Sequence, residues 1–138
     1  MIPAISSWVK YAETDFKAKN ALKNIDDLET IFAFHCQQSV EKLLKALLTK
    51  HELVPPKIHD LIRLCKLLPE DAFKEISKYE PYLEELNSIY IDSRYPADLA
   101  LLPNNFFTQE DIDAIDQATD ELFHALLNLI NADSISKD

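Results

Sequence analysis

Apolar residues recur every three or four positions along most of the chain, and this period predicts helices. In the first stretch the spacing passes through Trp8, Ala12 and Phe16, which predicts a helix over about residues 6–24. No segment alternates between apolar and polar residues for long enough to make a sheet. The pattern therefore predicts an all-helical protein.

The second helix carries an alanine- and leucine-rich run over residues 34–48. Asp26 and Asp27 are residue types that cap helices, so we expect them to precede its first turn. The helix should end near His51, because a pair of prolines follows within a few residues and cannot continue it. A short third helix is predicted to begin near His59.

Two further helical stretches follow. Residues 70–92 have a helical composition but contain Pro81, which is expected to kink or divide them near Tyr79. Thr108 is followed three residues later by Asp111, a spacing close to a capping box, so the last helix should begin there. Five helical pieces with short connections predict one domain over residues 1–138, an up-and-down four-helix bundle with an additional short helix.

Composition narrows the function classes. No apolar run approaches the roughly 18 residues of a membrane span, and no basic stretch precedes an apolar one at the N-terminus. We therefore expect a cytoplasmic protein without membrane contact. The chain has no glycine, which excludes the phosphate-binding loops that depend on it.

Charge is distributed unevenly along the chain. Residues 1–69 carry 10 basic and 8 acidic side chains, whereas residues 70–138 carry 4 and 16. A protein with a net charge of −10 does not offer the broad basic surface that DNA requires. The acidic half either serves solubility or selects a basic protein partner.

The second helix has an unusually wide apolar arc of about 160°. Such an arc indicates a helix that contacts two surfaces. The second surface is either another copy of the chain, in a homodimer, or a further part of the same bundle around a central helix. The arc consists of Leu28, Phe32, Val40, Leu43, Leu44, Ala46 and Leu47.

Polar residues form a stripe on the opposite side of this helix. It contains His35, Gln38, Glu41, Lys42 and Lys45. The stripe is either a solvated helix face or the lining of a cleft, in which His35 and Gln38 would read a ligand.

Arg94, one of only two arginines, follows the fourth helical region and lies beside Tyr90, Asp92 and Tyr95. Arginine is well suited to bind phosphate or carboxylate through two parallel hydrogen bonds. Arg94 either binds a ligand or partner in this way or fastens the proline-rich loop that follows by pairing with Asp92 or Asp98.

No pattern in the sequence predicts a metal or a cofactor. Cys36 and Cys65 are far apart and lie within helical patterns, so we expect two buried thiols. No serine–histidine pattern and no metalloprotease motif is present, so no catalytic residue is predicted.

Several features in order along the chain resemble the HEPN family of nucleotide-binding domains. They are the run of residues 34–48, Trp8 upstream of it, the pair His59-Asp60, and Ser93-Arg-Tyr-Pro downstream. The resemblance spans nearly the whole chain. It implies a helical bundle, a cleft between the protomers of a homodimer, and a small companion of a minimal nucleotidyltransferase, as in toxin–antitoxin-like pairs.

HEPN ribonucleases carry an arginine followed four to six residues later by a histidine. Neither Arg63 nor Arg94 is followed by one at that spacing. We therefore expect a non-enzymatic nucleotide-binding or adaptor module. A divergent ribonuclease toxin and a purely structural oligomerisation module are the alternatives.

Overall fold

The computed structural model describes residues 2–93 and 107–132, with the backbone alone for residues 90–93. These ranges contain six α-helices and no β-strand. The long helices α1, α2, α5 and α6 form the bundle, and the short helices α3 and α4 lie between α2 and α5 in sequence. The all-α fold class is thus confirmed. The helices are α1 Pro3–Leu22, α2 Glu29–Lys50, α3 Leu61–Lys66, α4 Glu70–Ser77, α5 Glu80–Ser93 and α6 Gln109–Asn131.

The predicted division of the fourth helical region is confirmed. Helix α4 ends at Ser77 and α5 begins at Glu80, so the break falls at residues 78–79. Pro81 is the second residue of α5. A proline is tolerated there because the first N–H groups of a helix have no acceptor within the helix. The proline therefore starts a new helix instead of kinking a longer one.

Two helix starts are fixed by side chains. The Thr108 hydroxyl accepts a hydrogen bond from the Asp111 amide (3.1 Å), and the Asp111 carboxylate accepts one from the Thr108 amide (2.9 Å). This reciprocal pair is the predicted capping box. At the start of α3, the Asp60 carboxylate accepts from the amide of Arg63 (3.1 Å).

The prediction that Asp26 and Asp27 cap the second helix is wrong. Leu28 occupies the capping position and makes no side-chain bond there. Asp27 instead adopts a left-handed backbone conformation (φ 68°), as does Asn24 (φ 63°). In a chain without glycine, asparagine and aspartate are the residue types that best tolerate this conformation.

Helix α2 lies at the centre of the bundle and contacts α1, α3, α5 and α6. Its apolar arc is therefore covered within a single chain, as the interpretation of a central helix requires. A dimer built on the arc would have to open the core. The homodimer itself stays a prediction. The arc residues that are at most 1% exposed are Phe32, Val40, Leu43, Leu44, Ala46 and Leu47.

Helix α1 is joined to α6 by a lysine with no solvent exposure. The Lys19 ammonium lies 2.8 Å from a carboxylate oxygen of Asp116 and 2.5 Å from one of Asp120. It also lies 4.5 Å from the centre of the Phe16 ring. We refer to Lys19, Asp116 and Asp120 as the Lys19 cluster. It places a buried charge where the apolar pattern alone would not predict one.

Lys23, the residue that directly follows α1, also contacts the Lys19 cluster. Its ammonium is 3.2 Å from Asp116, and this hydrogen bond raises the pKa of Lys23. Burial alone would raise the pKa of Asp116, but the hydrogen bonds and charges of Lys19 and Lys23 outweigh it and lower that pKa below 3.8. The fold thus favours the charged forms of Lys23 and Asp116.

Among the residues described, no helix combines the length and the apolar character that crossing a membrane requires.

Candidate functional site

The predicted polar stripe of α2 does not form a solvated face. We call it the α2 stripe, and it consists of His35, Gln38, Glu41, Lys42 and Lys45. Glu41 and Lys45 are buried, with 3% and 7% of their surface exposed. His35, Gln38 and Lys42 are half-buried. The side chains of the stripe are held by hydrogen bonds from α1, from the turn before α3 and from α2 itself.

Asp15 of α1 holds one end of the α2 stripe. One of its carboxylate oxygens lies 2.8 Å from Nδ1 of His35, and the other accepts a hydrogen bond from the Lys42 ammonium at 2.5 Å. The Asp15 side chain is only 10% exposed. Because a carboxylate can only accept, Nδ1 of His35 carries the proton of this bond. The bond fixes the orientation of the ring.

Glu41 holds the other end. One of its oxygens accepts from the amide groups of Gln37 (3.3 Å) and Gln38 (3.2 Å). The other oxygen lies 3.1 Å from the Lys45 ammonium and 3.0 Å from Nδ1 of His59. A carboxylate with four such neighbours is well satisfied, and this is what allows it to be buried.

Trp8 closes the stripe on the side of α1. The Lys45 ammonium lies 5.7 Å from the centre of its ring, a distance at which the ring face attracts a cation. Trp8 and His59 are 51 positions apart in sequence, yet both contact residues of one turn of α2. The fold therefore brings together three of the features that resemble HEPN domains.

The turn before α3 connects the stripe to α5. Gln37 donates a hydrogen bond to the backbone carbonyl of His59 (3.2 Å). The adjacent Asp60 accepts one from the Asn87 side chain (3.0 Å), and Asn87 accepts one from the amide of Leu61 (2.7 Å). These contacts fix the position of α5 relative to α2.

Several polar atoms of the α2 stripe remain available to a ligand. In the described part of the chain, nothing donates a hydrogen bond to Nε2 of His35 or Oε1 of Gln38. The Lys42 ammonium uses one of its three protons on Asp15. The stripe thus offers two atoms that can accept hydrogen bonds, one helical turn apart, and an ammonium beside them.

The structure describes only some of the residues that the sequence singled out as a site. His35 and Gln38 lie on the α2 stripe. Arg94 and Tyr95 lie outside the described residues. Tyr90 and Asp92 belong to α5, but their side chains lie outside the described part of the chain. A joint site of these residues with the stripe therefore stays a prediction.

Sequence reasoning missed three residues that organise the stripe, namely Asp15, Gln37 and Asn87. Only Asp15 left a signal in the sequence. It follows Trp8 and Ala12 at the spacing of the buried face of α1, where an acidic residue needs a partner. Gln37 and Asn87 become recognisable only when the turn before α3 is placed between their helices.

The cysteines are buried and free, as predicted. Burial raises the pKa of Cys36 and of Cys65 to about 12, so both thiols stay protonated near neutral pH. Within the described ranges, no group of three or more histidine, cysteine or acidic side chains is arranged to hold a metal ion.

Comparison with known proteins identifies the family. The chain resembles the crystal structure of an archaeal HEPN homologue with a TM-score of 0.63 and 22% sequence identity, over 92% of this chain and 98% of that one. At this identity the likeness shows the fold alone. No curated protein matches the sequence. The sequence model of the HEPN domain matches residues 5–129, and the chain therefore belongs to the HEPN domain family.

Proposed function

We propose that this protein is a non-enzymatic nucleotide-binding or adaptor module that acts together with a minimal nucleotidyltransferase. The α2 stripe is the proposed contact surface. The observation that carries this proposal is the pair of open acceptors on His35 and Gln38 beside the ammonium of Lys42.

The chemistry of the stripe suits a nucleotide. The two acceptors can receive hydrogen bonds from amino groups of a base or from ribose hydroxyls, and an ammonium can pair with a phosphate. Asp15 and Glu41 hold these side chains in place before a ligand arrives, which lowers the entropy lost on binding. The same groups could equally receive polar side chains of a protein partner.

The overall charge favours a mononucleotide or a protein over a nucleic acid. Long nucleic acids bind through many phosphate contacts, and a chain with a net charge of −10 repels them. A mononucleotide needs only a few local contacts, which one lysine and one arginine can supply. We propose that Arg94 is this arginine.

Calorimetric titration with ATP and GTP tests the proposed ligand. His35→Ala and Gln38→Ala should each weaken binding about two- to tenfold, the value of one hydrogen bond. His124→Ala is the matched control, because His124 is an exposed histidine on α6 whose Nδ1 is also hydrogen-bonded (2.7 Å). Trp8, the only tryptophan, provides a fluorescence signal beside the stripe. If neither nucleotide binds, the proposed ligand is wrong.

The proposed partner is tested separately. Co-expression with the minimal nucleotidyltransferase encoded nearest to this gene should yield a complex that His35→Ala weakens and His124→Ala does not. Light scattering on the isolated protein tests the predicted homodimer. Since the apolar arc of α2 is covered within the chain, such a dimer must use other surfaces.

A divergent ribonuclease is the second candidate, and one observation favours it. His35 is hydrogen-bonded through Nδ1 to Asp15, and His59 through Nδ1 to Glu41. A carboxylate on Nδ1 orients a histidine for general acid or base catalysis through Nε2. Cleavage of single-stranded RNA that is lost in both His35→Ala and His59→Ala would replace the binding module with an enzyme.

A further inference from the structure

One aromatic side chain of α1, that of Tyr11, is open to solvent. Among the described residues it is the only phenylalanine, tyrosine or tryptophan that is exposed, with an exposed fraction of 62%. Within the same ranges its hydroxyl makes no hydrogen bond, and its ring contacts no other ring and no cation. It does not belong to the core or to the apolar side chains that pack against it. Both the ring and the hydroxyl of Tyr11 are therefore available to a ligand.

Tyr11 lies at the edge of α1 that faces the α2 stripe. Trp8, Tyr11 and Asp15 are separated by three and four residues, a spacing that places them on one side of a helix. Both outer residues contact the stripe. The centre of the Trp8 ring lies 5.7 Å from the Lys45 ammonium, and the Asp15 carboxylate lies 2.5 Å from the Lys42 ammonium. Along α1, Tyr11 is thus placed between two contacts with the stripe.

The lysines of the stripe attract a phosphate only weakly. Each already has a carboxylate partner, since Asp15 lies 2.5 Å from Lys42 and Glu41 lies 3.1 Å from Lys45. The two ammonium groups and the two carboxylates balance, so little net positive charge faces a ligand. A large share of the affinity for a nucleotide must therefore come from a part of the nucleotide other than its phosphates.

We propose that Tyr11 supplies this share by stacking on the nucleotide base, a role that rests on the proposed function of the α2 stripe. Every base offers a flat face to an aromatic ring. The open acceptors of His35 and Gln38 then receive amino groups of the base or ribose hydroxyls. Trp8 is less suited to stacking, because it is half-buried and its ring is near the Lys45 ammonium. Tyr11 thus makes the base the part of the ligand that the protein recognises.

Two substitutions of Tyr11 separate its ring from its hydroxyl. Stacking of one base on an aromatic side chain is worth about five- to a hundredfold in affinity when the side chain is replaced by alanine. Tyr11→Ala should therefore weaken the binding of AMP by this factor. Tyr11→Phe keeps the ring and should change the affinity by less than about threefold. Both substitutions alter an exposed side chain outside the core, so both variants should unfold at the temperature of the parent protein.

Two ligands separate the base from the phosphate. AMP and ribose 5-phosphate carry the same sugar and the same phosphate, but only AMP has a base. In calorimetric titrations of the full chain, AMP should bind at least about tenfold more tightly than ribose 5-phosphate. Tyr11→Ala should weaken the binding of AMP and leave that of ribose 5-phosphate unchanged. A merely structural role of Tyr11 would weaken both.

Proton nuclear magnetic resonance of AMP gives an independent measurement. The protons of the adenine ring should shift upfield when AMP binds the parent protein or Tyr11→Phe, because a stacked base lies over an aromatic ring. Tyr11→Ala should abolish this shift. Leu67→Ala is the matched control, since it removes another exposed apolar side chain (48% exposed) directly after α3, and it should leave the affinity unchanged.

Two results would overturn the role of Tyr11 while leaving nucleotide binding intact. Binding of AMP that Tyr11→Ala does not weaken would show that the base is held elsewhere. Equal affinities for AMP and ribose 5-phosphate would show that the sugar and phosphate alone are recognised. If neither ATP nor AMP binds the parent protein, the proposed function itself is wrong, and the role of Tyr11 is wrong with it.

Discussion

Replacing Lys19 separates the contribution of a buried charge from that of its aliphatic stem. Lys19→Met keeps most of the stem and removes the ammonium, whereas Lys19→Ala removes both. Two charge-assisted hydrogen bonds are lost in either variant, and bonds of this kind contribute about 1.5–3 kcal/mol each. Part of this loss is recovered, because the fully buried ammonium no longer has to be desolvated.

The two aspartates respond differently. Asp120 is 46% exposed and returns to water, whereas Asp116 is only 17% exposed and keeps Lys23 as its remaining partner. We therefore expect Lys19→Met to lower the free energy of unfolding by about 1–3 kcal/mol. Lys19→Ala should lower it by about 3–5 kcal/mol, because it also removes buried methylenes worth about 0.8 kcal/mol each and leaves a cavity.

Urea unfolding, followed by Trp8 fluorescence and by circular dichroism, measures both changes. Lys17 is exposed on the same helix, and its methionine and alanine variants should change stability by less than about 0.5 kcal/mol. A Lys19→Met protein as stable as the parent would show that desolvation cancels the ion pairs. Equal losses in the two Lys19 variants would show that the stem contributes nothing.

The same cluster predicts a pH dependence with a definite sign. The folded-state pKa of Asp116 lies below its ordinary value of 3.8, so its contribution to stability is present above that value. The contribution is lost as the pH falls through 3.8 towards the folded-state pKa. Lys19→Met removes one of the two ammonium groups that lower the pKa of Asp116. The stability of this variant should therefore fall less steeply between about pH 5 and pH 2 than that of the parent protein.

Three further predictions concern other parts of the chain. Glu41→Ala removes the counter-charge of a buried lysine and should cost about 3–5 kcal/mol of stability, whereas Glu75→Ala, which breaks an exposed ion pair, should cost less than about 1 kcal/mol in the same urea titration. Cys36 and Cys65 should react with a thiol reagent at about pH 8 only after unfolding, and rapid reaction of the native protein would contradict their burial. Arg94→Ala should weaken ATP or GTP binding about ten- to a hundredfold without changing any cleavage of RNA; a lowered melting temperature with unchanged affinity would instead assign Arg94 a structural role.

The elements of this fold could be predicted from sequence because their signals are local. The capping box at Thr108 and the break before Pro81 each depend on residues within one helical turn. The burial of the arc on α2 follows from its period in the same way. The cap assigned to Asp27 was wrong for a related reason. An aspartate before a helix can either cap it or adopt a left-handed conformation, and the neighbouring residues of the connection decide between the two.

The candidate site could be predicted only in part, because its organisation depends on which helices are neighbours. The period of α2 places His35 and Gln38 on one side of the helix, and this was visible in the sequence. It does not reveal that Asp15 of α1 faces His35, or that the turn at His59 covers Glu41. The sequence alone was therefore also compatible with a solvated face. The contacts with Asp15 and His59 show that the stripe is largely covered.

The two buried charges of α1 show what such contacts add to the hydrophobic pattern. Asp15 and Lys19 lie one turn apart, but Asp15 faces the Lys42 ammonium of α2 while Lys19 faces the carboxylates of α6. If the face of α1 were wholly apolar, rotating the helix or packing it against α2 and α6 in the opposite order would cost little free energy. With these charges in place, exchanging the neighbours would bring Asp15 against Asp116 and Lys19 against Lys42. Like charges in a partly buried contact are unfavourable. The polar residues that interrupt the apolar pattern of α1 thus favour one arrangement of the bundle, and this arrangement also holds His35 in the α2 stripe.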